Sequence, residues 1–154
     1  MSESTHSGGC ACGAVRYRVT GPLRPIVGCH CRECRRISGH YMAATQTRRA
    51  DLAIDGEAAI RWYASSPGVQ RGFCGTCGGH LFFARDGGAL ISILAGSLDR
   101  ADDLPFIGDI HAAEKGDYYP PNPARPQLDR GSAEELLAQL GYTPAYPWDH
   151  SGAD

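Results

Sequence analysis

The residues best suited to chemistry are seven cysteines, spaced as Cys10-x-Cys12, Cys29-x-Cys31-x-x-Cys34 and Cys74-x-x-Cys77, with none after. Short spacing of this kind suits a metal knuckle, in which two sulfurs of one turn converge on an ion about 2.3 Å away. Structural zinc takes four protein ligands and is closed, whereas catalytic zinc keeps three and leaves a position for water or substrate. Seven thiols are one short of two closed sites. The count therefore predicts one closed site and one open site.

Cys10-x-Cys12 needs two further ligands, and Cys74-x-x-Cys77, with Gly75 and Gly78 beside it, offers two. Joined, they would tie the N-terminal region to the middle of the chain, and the metal would offset the entropy of that long loop. Ordinary buried thiols are the plain alternative. The middle set, Cys29-His30-Cys31-Arg32-Glu33-Cys34-Arg35-Arg36, places three thiols within a six-residue loop. Cys29 and Cys31 project to one side of an extended segment, and Cys34 can fold back to the same ion. The exchangeable fourth ligand of a soft ion with soft ligands is another thiolate or water.

Arg32, Arg35 and Arg36 would offset the negative charge of three thiolates on zinc and attract anionic groups, or else form a solvated charged face. His30, between two ligands, should point away from the ion; a hydrogen bond to the loop backbone suits it better than ligation. His40, His80 and His111 are candidates for proton transfer by residue type alone.

Composition favours metal over disulfides. Residues Met1 to Gly9 are polar, without the apolar core of an export signal, so a reducing, cytoplasmic setting is expected. An odd cysteine count cannot pair fully. No apolar stretch approaches the roughly 20 residues of a membrane span, and no membrane association is expected. The net charge is −2, Lys115 is the only lysine, and there is no basic stripe or tail of the kind a nucleic-acid binder carries.

The elements that must position these residues are short. With 154 residues, 20 Gly and 10 Pro, the chain reads as one turn-rich, mainly β domain. Ala14 to Val19 alternates apolar and polar residues as a half-buried strand should. Asp51–Ile54 and Ala59–Tyr63, joined at Asp55-Gly56, read as a hairpin; His80–Ala84 and Ala89–Leu94, joined at Asp86-Gly87-Gly88, read as a second. The prolines of 118–126 impose an irregular loop. Ser132-Ala133-Glu134-Glu135 is a capping box opening a helix with Leu136, Leu137 and Leu140 as its apolar stripe and Gly141 at its end. The tail after Trp148 reads as frayed.

Gly9-Cys10-Ala11-Cys12-Gly13, Cys29 to Gly39, Phe73-Cys74-Gly75-Thr76-Cys77-Gly78 and Gly96-Ser97-Leu98-Asp99 together resemble the glutathione-dependent formaldehyde-activating family, the GFA/CENP-V-type zinc domain. The resemblance implies an antiparallel β-tent over residues 8–119; the residues beyond it read as a Pro-rich loop at 120–131 and a C-terminal helix at 132–141 packed on the same domain. It also implies two zinc ions: a structural one on Cys10, Cys12, Cys74 and Cys77, and a catalytic, partly occupied one on Cys29, Cys31 and Cys34. The implied activity is that of a carbon–sulfur lyase, joining formaldehyde to a small-molecule thiol, glutathione, as S-hydroxymethylglutathione. Arg32, Arg35 and Arg36 would meet the carboxylates of such a thiol. Two positions depart from the family pattern: Gly79 replaces a small hydroxyl residue, and Lys115 is followed three positions on by Tyr118 rather than Trp. The alternative function is a non-catalytic, zinc-stabilised interaction module.

Overall fold

The computed structural model describes residues 4–146. The expected frayed tail lies outside them. In chain order the elements are β1 (Thr5–Gly9), β2 (Arg16–Thr20), β3 (Ile26–Cys29), α1 (Arg32–Ser38), β4 (Met42–Arg48), β5 (Leu52–Asp55), β6 (Ile60–Ser66), β7 (Val69–Cys74), β8 (His80–Arg85), β9 (Leu90–Leu94), β10 (Phe106–Ile110) and α2 (Ala133–Gln139). The fold is mainly β, as its alternation predicts.

Two sheets carry the chain. The smaller has the order β1-β2-β5, and the larger β10-β3-β4-β9-β8-β7-β6. All pairs are antiparallel except β10 with β3, a parallel pair that turn signals could not reveal. In β2, Tyr17 and Val19 point inward while Arg16, Arg18 and Thr20 face solvent. Their inner face packs with Val15 against Leu81, Phe82, Ile91 and Ile93 of the larger sheet to form the main core. Central β9 is buried along its whole length, Leu90, Ile91, Ile93 and Leu94 with Ser92 between them.

The opposite face of the larger sheet is covered by helices. Leu136 and Leu137 of α2 pack on Val27 and Ile110, and Cys34 of α1 packs on Met42, Ala44 and Leu94. Helix α2 has the expected capping box, with Ser132 Oγ accepting from the Glu135 N–H and the Glu135 carboxylate accepting from the Ser132 N–H, both at 3.2 Å. It ends with Gly141 at φ +75° and with the Tyr142 and Gly141 amides bonded to the Leu137 and Ala138 carbonyls, a Schellman closure. Leu140 is 42% exposed and does not share the buried stripe, because the helix has already ended beneath it.

Three other expectations meet the structure. The hairpin across Asp86-Gly87-Gly88 is present as β8–β9. That across Asp55-Gly56 is not: β5 pairs with β2 and β6 with β7, so the chain crosses between sheets there. Gly56 is needed where it passes the Ala14 carbonyl, which a Cβ would meet at 1.9 Å. The six-residue loop expected from Cys29 to Cys34 instead passes at Arg32 into helix α1. Cys31 caps its start, Glu33 lies in the first turn, Arg35 and Arg36 lie in the last, and Gly39 closes it at φ +80°.

Candidate metal centre

The four-cysteine group joins the two sheets. Cys10 and Cys12 lie between β1 and β2, Cys74 ends β7, and Cys77 sits in the turn before β8. All four sulfurs lie within 4.8 Å of one another. Each pair is a knuckle. The Cys10 amide bonds the Val15 carbonyl and the Cys74 amide the Gly79 carbonyl. Backbone N–H groups of Val15 and Thr76 donate to the Cys10 and Cys74 sulfurs at 3.3 and 3.4 Å. Gly13 and Gly78 supply the left-handed residue that each knuckle requires, at φ +80° and +77°. The amides of Gly79 and then Cys12 hold the Cys77 thiol down to about 6. Cys74 is wholly buried in the main core, so this donor set is built into the packing.

The three-cysteine group lies where β3 passes into α1. Cys29 is the last residue of the strand, Cys31 is the helix cap and Cys34 is in the first turn, which brings the three sulfurs within 4.8 Å of one another. The Cys34 N–H donates to the Cys31 sulfur at 3.3 Å. Hydrogen bonds from the Cys29 thiol and then the Cys34 thiol pull the Cys31 thiol well below its ordinary value, while sharing with Cys31 pushes Cys29 up. Both groups present soft, closely spaced sulfur donors and could hold metal ions, zinc by donor type.

A cavity of about 240 Å³ borders the three sulfurs, lined in part by Arg24, Met42, Arg71, Phe83, His111 and Glu134. Arg71 is 3% exposed, and its guanidinium donates toward the Cys34 sulfur at 3.6 and 3.7 Å, lies 5.1 Å from the Phe83 ring centroid and bonds Ser65 Oγ at 3.1 Å. The sequence signal for it was slight: an arginine whose strand neighbours two residues away are Val69 and Phe73.

Arg32, Arg35 and Arg36 do not line this cavity. They surround a separate open hollow of about 500 Å³, and the Arg35 Nε donates to the Glu114 carbonyl at 3.0 Å.

His30 points away from the sulfurs, but its partners are side chains rather than the expected loop backbone. Its Nε2 meets Asp109 Oδ1 at 2.8 Å and its Nδ1 meets the Tyr119 hydroxyl at 2.8 Å. Asp109 also accepts from Arg125 Nε at 3.0 Å. Burial alone would raise the Asp109 carboxyl, but the His30 and Arg125 bonds outweigh it and hold the group below the usual range. This anchor fixes the backbone between Cys29 and Cys31.

Of the other histidines, His111 borders the three-sulfur cavity and adopts a left-handed φ of +52°, unusual outside glycine. His40 packs among the tilted and edge-on rings of Tyr41, Tyr118 and Tyr119. His80 lines a larger hollow of about 690 Å³ with Cys10 and Met42; burial and then Arg71 lower it to about 4. At the departures from the family pattern, a Cβ on Gly79 would touch the Cys77 sulfur at 3.4 Å, and Lys115 Nζ is engaged by the Tyr119 and Gly116 carbonyls.

The sequence model of the family described as glutathione-dependent formaldehyde-activating enzyme matches residues 5–113. An uncharacterized lyase of Schizosaccharomyces pombe is 31% identical over 116 residues, 74% of this chain and 83% of the relative. The crystal structure of a Rhodobacter sphaeroides protein is similar with a TM-score of 0.51 at 24% identity, covering 65% of this chain and 98% of the other; that likeness concerns the fold. With the matched region spanning all seven cysteines and both sulfur groups, the chain belongs to the glutathione-dependent formaldehyde-activating enzyme family.

Proposed function

We propose that this protein is a carbon–sulfur lyase that joins a thiol, glutathione foremost, to a small carbonyl compound such as formaldehyde, and splits the adduct in reverse. The observation that carries the reading is the separation of a three-sulfur group beside a cavity from a four-sulfur group set into the sheet junction. Family membership and the lyase relative support the reaction class.

On this reading Cys10, Cys12, Cys74 and Cys77 hold a structural zinc ion, and Cys29, Cys31 and Cys34 hold a catalytic one. Zinc bound to the trio would supply a position at which a thiol stays deprotonated at neutral pH. Arg71, at Cys34, would offset part of the negative charge of the three thiolates. In the forward step the substrate sulfur attacks the carbonyl carbon. A carbon–sulfur bond forms, the carbonyl π pair moves to oxygen, and that oxygen takes up the proton the thiol gave away. His111 borders the cavity and is the imidazole we assign to carrying that proton. Arg32, Arg35 and Arg36, on the outer face of α1, would meet the far carboxylates of a glutathione-sized thiol. A cytoplasmic setting would keep the seven free thiols reduced.

Metal stoichiometry on protein purified without added zinc, measured before and after glutathione, tests the assignment. Two ions are expected, one more easily chelated and protected by glutathione. A single tightly held ion that glutathione does not affect would sink the open site.

A further inference from the structure

Arg24 is 5% exposed and lines the same cavity as the Cys29, Cys31 and Cys34 sulfurs. Its Nη1 donates to the Pro25 carbonyl at 3.0 Å, but its buried Nε has no partner among the described residues. No carboxylate among them comes within ion-pair distance; Glu134 borders the cavity without reaching the guanidinium that closely. A buried charge left unpaired is costly, and structures retain one chiefly where something else pairs with it. Gln46 lines the cavity too, and its buried Oε1 has no partner among the described residues; turning that amide over would put an N–H₂ at that position instead. Arg85, exposed at the rim, adds positive charge.

We propose that the cavity beside the three sulfurs contains a carboxylate subsite built on Arg24, so that one member of the reacting pair carries a carboxylate bound there. The proposal rests on the thiol-addition reading above and narrows its substrate class. A cavity of about 240 Å³ is smaller than the pockets that enclose drug-sized ligands, roughly 300–1,000 Å³, so it takes a small acid or one end of a larger molecule. The carboxylate belongs either to the thiol or to the carbonyl compound. In the second case the product is a thiohemiacetal bearing an acid group, formed by the same electron movement and without any oxidant.

Calorimetry on the zinc-loaded protein separates the two sources. One arm compares 3-mercaptopropionate with 2-mercaptoethanol, the other glyoxylate with formaldehyde. On one arm the acid should bind at least about tenfold more tightly than its neutral counterpart, the effect of one charge-assisted hydrogen bond, and Arg24→Met should reduce the ratio to within about twofold. The arm that responds identifies the carboxylate's owner. Equal binding of acid and neutral partner on both arms, or a ratio unchanged by Arg24→Met, overturns the subsite. Because the methionine removes an unpaired buried charge, Arg24→Met should melt no lower than the wild type. If it nevertheless misfolds, Arg24→Lys, which keeps the charge and lacks Nε, should lose part of the discrimination. Turnover without discrimination would sink the subsite and leave the reaction; discrimination without turnover would sink the reaction and leave the subsite.

Discussion

Arg71 of β7 places its guanidinium 3.6 Å from the sulfur of Cys34 in α1, under the three-sulfur group and out of contact with solvent. The larger sheet thereby reaches the one element that carries two of the three thiols. A fixed cation there favours thiolate over thiol, and so favours metal.

Arg71→Met would fill much of the same space without the charge. Alkylation of Cys34 by iodoacetamide in metal-free protein, read by peptide mapping, should then need a higher pH, slowing about tenfold at neutral pH for each unit of displacement, since this thiol already lies above its ordinary value. Zinc should leave the trio faster under chelation. An unchanged pH profile with a lowered melting temperature would make Arg71 a packing residue only.

Replacing one cysteine in each group separates holding the fold from chemistry. Cys74 is fully buried, and loss of its site removes metal-binding free energy on the order of 10 kcal/mol, comparable with a domain's whole stability. Cys74→Ser should therefore fail to give a cooperative melt. Cys31→Ser leaves a good helix cap in place of a thiol that already accepts the Cys34 amide, so with the trio's metal removed from both proteins it should cost less than about 1 kcal/mol, while abolishing metal binding at the trio and turnover. Equal loss of folding in both variants, read by circular dichroism, would contradict the division.

The division into four and three was legible because ligand pairs are local in sequence. So were β2 from its alternation and α2 from Ser132 and Glu135. Helix α1 was hidden by its own chemistry: at seven residues it is too short for periodicity to register, and its cysteines read as a ligand loop. Arg71 and Cys34 are separated by 37 residues, and His30 and Asp109 by 79, so no local pattern links either pair. Asp55-Gly56 misled for the opposite reason. Its local turn signal was outweighed by burial of the smaller sheet's apolar face, which takes β5 to β2 and leaves β6 on the other sheet.

Acid should release the anchor behind the trio. Asp109 titrates in the folded protein below its unfolded value, so its stabilising contribution is complete above about pH 4 and is lost as pH falls through the lower, folded value. Asp109→Asn should flatten that part of the stability curve. Because it removes the carboxylate that pairs with His30 and with the partly buried Arg125, it should also cost about 1.5–3 kcal/mol at neutral pH. Urea melts of both proteins from pH 7 to pH 3 measure this directly, and parallel curves would exclude Asp109 as the source of the slope.

Gly28 tests whether that anchor positions the thiols or only stabilises the sheet. A Cβ on Gly28 would come 2.6 Å from the Asp109 carboxylate and 3.0 Å from Phe106, so Gly28→Ala must push Asp109 off His30. The metal ligands and the cavity arginines remain in the chain unchanged. Overpacking of this size costs about 1–3 kcal/mol, which a folded domain survives. His30 lies between Cys29 and Cys31, so losing its carboxylate frees the backbone that sets those two sulfurs, and zinc affinity at the trio should fall about tenfold or more. The four-cysteine group lies at the sheet junction, away from β3, and should keep its metal. Competitive chelation resolves the two sites. If Gly28→Ala loosened both sites equally, the effect would be general destabilisation; loss confined to the trio would make Asp109, through His30, a positioning residue for the open site.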